Sequence, residues 1–198
     1  MHKTMFDTPI IKDLFRLISI LFLKICGWKA VGEFPKNQNF VLIAAPHTSN
    51  WDFALLLSAI WRFDYELNFL IKSTWLRFPF NILMKPLGAI GVDFSQKNKS
   101  KFTSQLVSFF EDSERAHLLL SPEGSRSKVE RWKTGFYRIA SQAKVPIVLC
   151  FADYEKKIYG FGPTIQPSGD FEKDMQLIQD FYADKKGKFP EEYETQIF

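Results

Sequence analysis

The sequence predicts an α/β fold in which a mostly parallel sheet is covered by helices on both faces, with an amphipathic helix in front of it. Short apolar runs alternate along the chain with stretches of helical apolar periodicity, and this alternation favours βαβ connections. The apolar runs, such as residues 40–45, lack the polar alternation of a half-exposed strand, so we expect the strands to be buried on both faces. A chain of 198 residues has the size of one domain.

Each element has its own local signal. Apolar and β-branched runs bounded by turn residues predict strands at residues 40–45, 67–71, 89–94, 117–120, 146–151 and 156–161. Apolar residues at spacings of three and four predict helices at residues 51–62, 101–112, 134–142 and 170–183, with a shorter helix between Pro79 and Pro86. The charged tail from Lys185 onward is predicted to be peripheral.

The N-terminal segment, residues 1–31, is predicted to contact a membrane without crossing it, while residues 32–198 form a single α/β domain. The uncharged run of the N-terminal segment covers only residues 17–23, whereas a spanning helix needs about 20 mostly apolar residues. On a helical wheel one broad face carries Ile10, Leu14, Leu17, Ile18, Leu21, Phe22 and Ile25, and the other carries Lys12, Asp13, Arg16, Ser19 and Lys24. Such a helix either packs on the domain or lies in the bilayer interface, and the pattern fits both equally.

Composition narrows the range of partners. The 21 Phe residues raise the aromatic share to 16%, which indicates either a Phe-rich core or apolar surface that faces lipid or an acyl chain. The net charge of +4 suits an anionic membrane surface or a phosphorylated substrate. Because the sequence has no zinc-finger, helix-turn-helix or RNA-recognition pattern, nucleic acid is not an expected partner. Cys26 and Cys150 match no metal or redox spacing, so we expect neither a metal nor a redox cofactor.

His47 and Asp52 are the most informative residues. They lie just past the apolar run 40–45 and around the start of a helical pattern, at the kind of strand-to-helix turn that carries chemistry in α/β proteins. A carboxylate on one imidazole nitrogen fixes the tautomer and leaves the other nitrogen as a base. With no serine or cysteine nucleophile built around the pair, His47 is expected to activate a substrate hydroxyl. The alternative is structural, because Ser49 and Asp52 also fit a capping box, and the two roles are compatible.

A second group of candidate residues follows the strand at 117–120. Gly124 permits a sharp backbone turn, and Arg126 offers a planar fork of donors that suits phosphate. Lys133 adds positive charge after this turn, and Lys72, just past the strand at 67–71, is a weaker candidate for a phosphate contact. The alternative is a solvated basic loop, which is the usual form of a run of charges.

The order of these segments resembles the glycerolipid acyltransferases of the lysophosphatidate (PlsC-like) type. His47 and Asp52 match that family's His-x4-Asp motif, and Gly-Ala-Ile-Gly-Val-Asp-Phe at 88–94 resembles its Gly-x-Ile-x-(apolar)-Asp-Arg block. Pro-Glu-Gly-Ser-Arg-Ser at 122–127 matches its Pro-Glu-Gly-Thr-Arg-Ser block. Trp-Lys-Thr-Gly at 132–135 and Val-Pro-Ile at 145–147 resemble shorter family elements and follow in the family's order. The resemblance covers about residues 40–152.

This resemblance implies an O-acyltransferase that moves a fatty acyl group from coenzyme A or acyl carrier protein to a hydroxyl of a lysophospholipid such as 1-acylglycerol 3-phosphate. It makes His47 the general base and Asp52 its partner carboxylate. It assigns substrate binding to the loop residues Glu123, Gly124, Ser125 and Arg126 and to two lysines, Lys133 and Lys72. Glu123 is expected to position an acceptor hydroxyl or Arg126, and backbone N–H groups near the His47 turn or at Gly124 are expected to stabilise the oxyanion.

The same resemblance places the protein at the cytoplasmic face of a membrane, as a peripheral or monotopic enzyme of phospholipid biosynthesis or remodelling. The chain departs from the family at two positions: Phe94 stands where the family has Arg, and Ser125 replaces Thr but keeps the hydroxyl. Loss of the Arg removes one expected phosphate contact. Three alternatives therefore stay open: a different, even non-phosphorylated acceptor lipid, a thioester or lipid hydrolase, and, least favoured, a non-catalytic membrane-binding protein.

Overall fold

A computed structural model describes residues 8–33, 35, 38–63, 65–92, 99–113, 115–194 and 196–198. Within these ranges the chain forms a mostly parallel sheet with helices on both faces, which confirms the predicted fold class. Asp93 and Phe94, which belong to the strand predicted at 89–94 and to the second family block, lie outside the described residues.

The sheet contains β1 (Lys29–Val31), β2 (Phe40–Ala44), β3 (Asn68–Lys72), β4 (Ala89–Val92), β5 (His117–Leu120), β6 (Ile147–Asp153) and β7 (Ile158–Ile165). Their order is β1-β7-β6-β2-β5-β3-β4, and all neighbouring pairs are parallel except β6 and β7. The helices are α1 (Pro9–Ile25), α2 (Trp51–Phe63), α3 (Asn81–Met84), α4 (Lys99–Glu111), α5 (Gly135–Ala143) and α6 (Phe171–Tyr182), with 3-10 turns at Ser73–Leu76 and Pro190–Glu192.

Alternate side chains of the central strand β2 face two separate apolar layers. Val41 and Ile43 pack with α4, α5 and α6, whereas Phe40 and Leu42 pack in the layer that contains α2. All four residues are at most 1% exposed, so β2 is a continuous apolar run rather than an alternating one. Burial on both faces fixes the register of β2, and it therefore also fixes the position of the turn that follows it.

Helix α1 packs on α2 with a different face from the one that its periodicity predicts. Ser19 and Leu23 are buried at 5% and 3% exposure, and the ring of Phe15 stacks on that of Trp61 at 5.1 Å. Six residues of the predicted apolar face, which we call the exposed stripe of α1, are 49–83% exposed: Ile10, Leu14, Leu17, Ile18, Leu21 and Ile25. Ser19, which the helical wheel places on the polar side, therefore belongs to the packed side of the helix. The helix is apolar around much of its circumference, so periodicity alone did not reveal the packed side.

A second exposed apolar group lies between β3 and β4. Its members, which we call the β3–β4 apolar segment, are Trp75, Phe78, Phe80, Ile82 and Leu83, all 51–81% exposed. Residues 67–92 contain Lys72, Arg77 and Lys85 but no Asp or Glu. Met84 and Leu87 pack in the same layer as α2, so this segment lies on the same face of the sheet as α1. The helix predicted between Pro79 and Pro86 is reduced to the short α3.

Two further features differ from the sequence prediction. β1 was missed because it has only three residues, two of them exposed, and no apolar run. The tail from Lys185 is not peripheral, since Tyr193 is 9% exposed and Ile197 is fully buried. The few apolar residues that anchor this tail lie among many charged ones, so its composition led to the wrong prediction.

None of the described helices combines the length and the apolar character that crossing a bilayer requires.

Candidate active site

Three loops meet at one edge of the sheet. The turn after β2 carries His47, the turn after β5 carries Glu123, and the turn after β6 carries Tyr154. These strands are adjacent, and both β5 and β6 run parallel to β2, so all three turns follow the carboxyl ends of their strands. This is the edge at which open α/β sheets place their ligand and active sites.

The side chains of His47 and Asp52 are in direct contact, with 3.1 Å between Nδ1 and Oδ2. The same Oδ2 accepts the backbone N–H groups of Thr48 and Ser49 at 2.8 Å each, and Ser49 Oγ accepts the N–H of Trp51 at 3.2 Å. Asp52 therefore caps the start of α2 and also orients the imidazole. Because Nδ1 faces the carboxylate, Nε2 is the nitrogen left for a substrate proton.

Tyr154 is a partner of this pair that the sequence did not reveal. Its hydroxyl donates to Oδ1 of Asp52 at 2.7 Å, so both oxygens of the carboxylate are engaged. Burial and the neighbouring Asp52 raise the pKa of Tyr154, which keeps the hydroxyl protonated as a donor. The Tyr154 ring packs edge-on against Trp28 at 5.0 Å. Since Trp28 follows α1, this contact connects the N-terminal helix to the His47–Asp52 pair.

Glu123 supports the His47 turn from inside the protein. Its two carboxyl oxygens accept the backbone N–H of His47 at 2.9 and 3.1 Å, and the residue is 5% exposed. Burial raises the pKa of Glu123 to about 8; the His47 hydrogen bond opposes this rise and the charge of Asp52 adds to it. The group is therefore mainly protonated at neutral pH. The described contacts of Glu123 do not include Arg126, and its contact with an acceptor hydroxyl stays a prediction.

The turn that contains Gly124 has the predicted conformation. Gly124 has a φ of +67°, and a Cβ at this position would collide with the Lys133 side chain. The backbone N–H of Lys133 donates to the carbonyl of Pro122 at 2.8 Å. The structure therefore brings Lys133 against the same turn as Gly124.

The two residues after Gly124 are exposed. Ser125 Oγ donates to the carbonyl of Ser127 at 3.0 Å. Arg126 lines an open pocket of about 460 Å³, whose other walls include the residues that follow His47 and also Lys188, a residue of the tail. Arg126 thus lies beside the His47 turn, as the resemblance implies, whereas Lys188 was not among the predicted site residues.

Two expectations find no support among the described contacts. Lys72 ends β3, two strands away from β2, and it does not line the pocket beside His47. The backbone N–H groups of residues 47–49 donate to Glu123 and Asp52, and that of Gly124 donates to the carbonyl of Ser121 at 3.1 Å. These four groups are already used within the fold, so a role of backbone N–H groups in stabilising an oxyanion stays a prediction.

The two cysteines and the described carboxylates also bear on the question of a metal site. Cys26 and Cys150 are both free, and burial raises the pKa of Cys150 to about 12. Within the described ranges, no three or more His, Cys, Asp or Glu side chains are grouped to hold a metal ion.

Comparison with known proteins gives the class of the chain. A family model described as Acyltransferase matches residues 29–151, and the chain belongs to this family. The matched range contains His47, Asp52, the loop with Arg126, and Lys133, but it ends before Tyr154 and Lys188.

A solved structure is similar to this chain over most of the length of both proteins. It is the 1-acyl-sn-glycerophosphate (LPA) acyltransferase PlsC from Thermotoga maritima, with a TM-score of 0.59 and 16% sequence identity. The likeness covers 90% of this chain and 82% of that chain, and it shows that the two proteins share a fold. No curated protein matches the sequence.

Tyr154→Phe tests whether the hydroxyl on Asp52 matters for catalysis. The variant keeps the ring against Trp28 and removes one hydrogen bond that orients Asp52, so we expect kcat for acyl transfer to fall about tenfold with little change in KM. Steady-state kinetics give both constants. Tyr159→Phe is the matched control, because its ring also lies near Trp28, at 6.4 Å, while its hydroxyl is not a partner of Asp52. Equal kcat values for the two variants would contradict the positioning role.

The raised pKa of Glu123 predicts a pH-dependent stability. Between the ordinary value of 4.5 and the folded value of about 8, the folded state binds more protons than the unfolded state. The free energy of unfolding therefore falls as the pH rises through this window. Glu123→Gln keeps an acceptor for the His47 N–H but cannot ionise. We expect it to be more stable than wild type by roughly 4–5 kcal/mol at about pH 8.5, and by less than about 1 kcal/mol at about pH 5.

Urea unfolding at both pH values measures this difference. The exposed Glu130 offers a control, since Glu130→Gln removes one carboxylate without changing the His47 turn. If wild type and Glu123→Gln lose stability in parallel across the window, Glu123 does not carry the effect.

Proposed function

We propose that the chain is an O-acyltransferase that moves a fatty acyl group from a thioester, on coenzyme A or acyl carrier protein, to a hydroxyl of a lysophospholipid such as 1-acylglycerol 3-phosphate. The observation that carries this proposal is the 3.1 Å contact between Nδ1 of His47 and Oδ2 of Asp52, which leaves Nε2 as the base. Membership of the Acyltransferase family supports the reaction class. The similar Thermotoga maritima protein is a 1-acyl-sn-glycerophosphate acyltransferase, which supports this acceptor.

His47 takes part in both halves of the transfer. Its Nε2 removes the proton from the acceptor hydroxyl while the oxygen attacks the thioester carbonyl carbon, and Asp52 stabilises the imidazolium that forms. When the tetrahedral intermediate collapses, the carbon–sulfur bond breaks and the leaving thiolate takes the proton back from His47. General-base help of this kind is worth about 10²–10⁴-fold in rate.

Arg126 is the group best placed for a substrate phosphate among the predicted binding residues. It is exposed, it lines the pocket beside the His47 turn, and no carboxylate lies among the residues that line that pocket. Gly124 and Ser125 shape the loop that carries Arg126, and Lys133 lies against the same loop. A guanidinium group binds phosphate through two parallel N–H donors.

His47→Ala is the direct test of this proposal. We expect acyl transfer to fall at least about 100-fold with no loss of folding, because His47 lies in a turn and not in either apolar layer. Transfer of labelled palmitate from palmitoyl-coenzyme A or palmitoyl-acyl carrier protein to a panel of lysolipids and neutral monoacylglycerol measures the activity, with thermal unfolding of both proteins run in parallel.

The products separate the alternatives. Wild-type activity on a neutral acceptor alone would keep the base and change the acceptor, and release of free fatty acid alone would indicate a hydrolase. Undiminished transfer by His47→Ala would contradict the mechanism.

We further propose that the enzyme lies on a membrane surface, at the cytoplasmic face, through the exposed stripe of α1 and the β3–β4 apolar segment. Both groups are on the same face of the sheet, and basic residues accompany each of them: Arg16 and Lys24 on α1, and Lys72, Arg77 and Lys85 in the second segment. Apolar side chains flanked by positive charge suit an anionic bilayer interface.

Vesicle binding tests this arrangement. We expect the double variant Leu17→Ser with Leu21→Ser to bind phosphatidylcholine–phosphatidylglycerol vesicles about tenfold more weakly, because two exposed leucines are lost from the lipid contact. Leu177→Ser is the control, since Leu177 is 50% exposed, like Leu21 at 49%, but lies on α6 across the sheet. Cosedimentation measures binding, and equal weakening by the control would contradict the assignment to α1.

A further inference from the structure

The pocket beside the His47 turn contains positive charge from two distant parts of the chain. Its lining residues are Thr48, Ser49, Asn50, Trp51, Arg126, Lys188 and Phe189. Arg126 belongs to the loop after β5, and Lys188 belongs to the C-terminal segment. No Asp or Glu is among the lining residues. Nothing on the surface of this pocket therefore neutralises the two cations.

The segment that carries Lys188 is fixed to the His47 turn. The backbone N–H of Phe189 donates to Thr48 Oγ1 at 3.2 Å. Gly187 is buried against the same side chain, and a Cβ at this position would lie only 2.7 Å from Thr48 Oγ1. The carbonyl of Lys186 accepts the N–H of Tyr154 at 2.9 Å. Lys188 is therefore held at the pocket by its backbone and is not part of a loose tail.

The same segment is also fixed to the loop that carries Arg126. The backbone N–H of Lys128 donates to Glu192 at 2.9 Å, and the Lys128 ammonium pairs with Glu194 at 3.2 Å. The C-terminal segment thus bridges the two walls of the pocket, and two of its acidic residues, Glu192 and Glu194, contact Lys128.

The Lys188 side chain is held over aromatic rings. Its Nζ lies 5.1 Å from the centroid of the Trp51 ring and 5.8 Å from that of Phe189, and the residue is half-buried. In the described part of the chain neither Lys188 nor Arg126 has a carboxylate within ion-pair distance. Two such cations repel each other unless an anion lies between them, and a phosphate group carries the charge and the acceptor oxygens to bind both.

We propose that Lys188 and Arg126 together bind a phosphate group of one of the two substrates, so that the C-terminal segment completes the binding site. This inference rests on the proposed acyltransferase function. Lys188 supplies a second positive charge from outside the range that the family model matches. The phosphate belongs either to the acceptor lipid or to the donor, in its coenzyme A or phosphopantetheine part.

Kinetics of Lys188→Ala with paired substrates test the site and identify the source of the phosphate. The acceptors are lysophosphatidate and phosphate-free monoacylglycerol, and the donors are palmitoyl-coenzyme A and the phosphate-free palmitoyl-N-acetylcysteamine. We expect KM for one phosphate-bearing substrate to rise roughly tenfold, with less than about a twofold change in kcat or in KM for its phosphate-free analogue. A rise for lysophosphatidate alone assigns the acceptor phosphate, and a rise for palmitoyl-coenzyme A alone assigns the donor.

Two variants control for charge and for folding. Lys186→Ala removes the same charge two residues away, from an exposed side chain that does not line the pocket, and it should leave all four KM values unchanged. Lys188→Arg should restore most of the affinity because it keeps the charge. An equal rise for phosphate-bearing and phosphate-free substrates, or no rise for either, overturns the proposal.

A binding measurement separates failure of this site from failure of the proposed function. Trp51 lines the pocket beneath the Lys188 ammonium, so titration with glycerol 3-phosphate or with coenzyme A should change tryptophan fluorescence in wild type and in Lys186→Ala. The change should be lost in Lys188→Ala and in Trp51→Phe. If no acyl transfer occurs with any substrate pair but this titration saturates, the phosphate site stands and the acyltransferase proposal falls. If transfer occurs and Lys188→Ala titrates like wild type, the site falls alone.

Discussion

The arrangement of the site depends on the carboxylate of Asp52. One oxygen receives the Nδ1 side of His47 and the backbone N–H groups of Thr48 and Ser49, and the other receives the hydroxyl of Tyr154. The same group therefore starts α2, shapes the turn after β2, sets the direction of the imidazole and connects β2 to the turn after β6. Buried donors that lose their acceptor are costly, so loss of the Asp52 carboxylate would disturb both the turn and the orientation of His47.

The surroundings of this carboxylate come from the whole length of the chain. Burial of β2 on both faces brings the turn to the carboxyl edge of the sheet, Glu123 holds the His47 backbone from the interior, and the C-terminal segment contacts Thr48 from outside. The range that matches the family model contains His47, Asp52 and the loop with Arg126. Tyr154 and the C-terminal segment with Lys188 lie beyond that range. Contacts from outside the matched range therefore complete the surroundings of the His47–Asp52 pair.

The sequence was sufficient to predict the fold class and the contact between His47 and Asp52, because both depend on residues that are close together in the chain. Strand-to-helix alternation is visible in windows of a few residues, and His47 and Asp52 are only five positions apart. Tyr154 lies 102 positions from Asp52, and Phe189 lies 141 positions from Thr48, so no local pattern connects them. The motif identified Glu123 but did not show that it faces the His47 backbone, because that contact depends on how β2 and β5 pair. The packed side of α1 could not be predicted for a different reason. The helix is apolar around much of its circumference, so its periodicity does not show which side packs against the domain.

The short strand β1 has a consequence for solubility. It pairs with Ile158, Tyr159 and Gly160 of β7, and the approach is so close that a Cβ at Gly160 would collide with the backbone of Val31. Without β1, the eight-residue β7 would become an edge strand with unpaired N–H and C=O groups, which is a template for intermolecular pairing. A truncation that removes α1 together with β1 would therefore favour aggregation even after the apolar stripe is gone. A more soluble form is better obtained by replacing residues of the stripe with polar ones while β1 is kept.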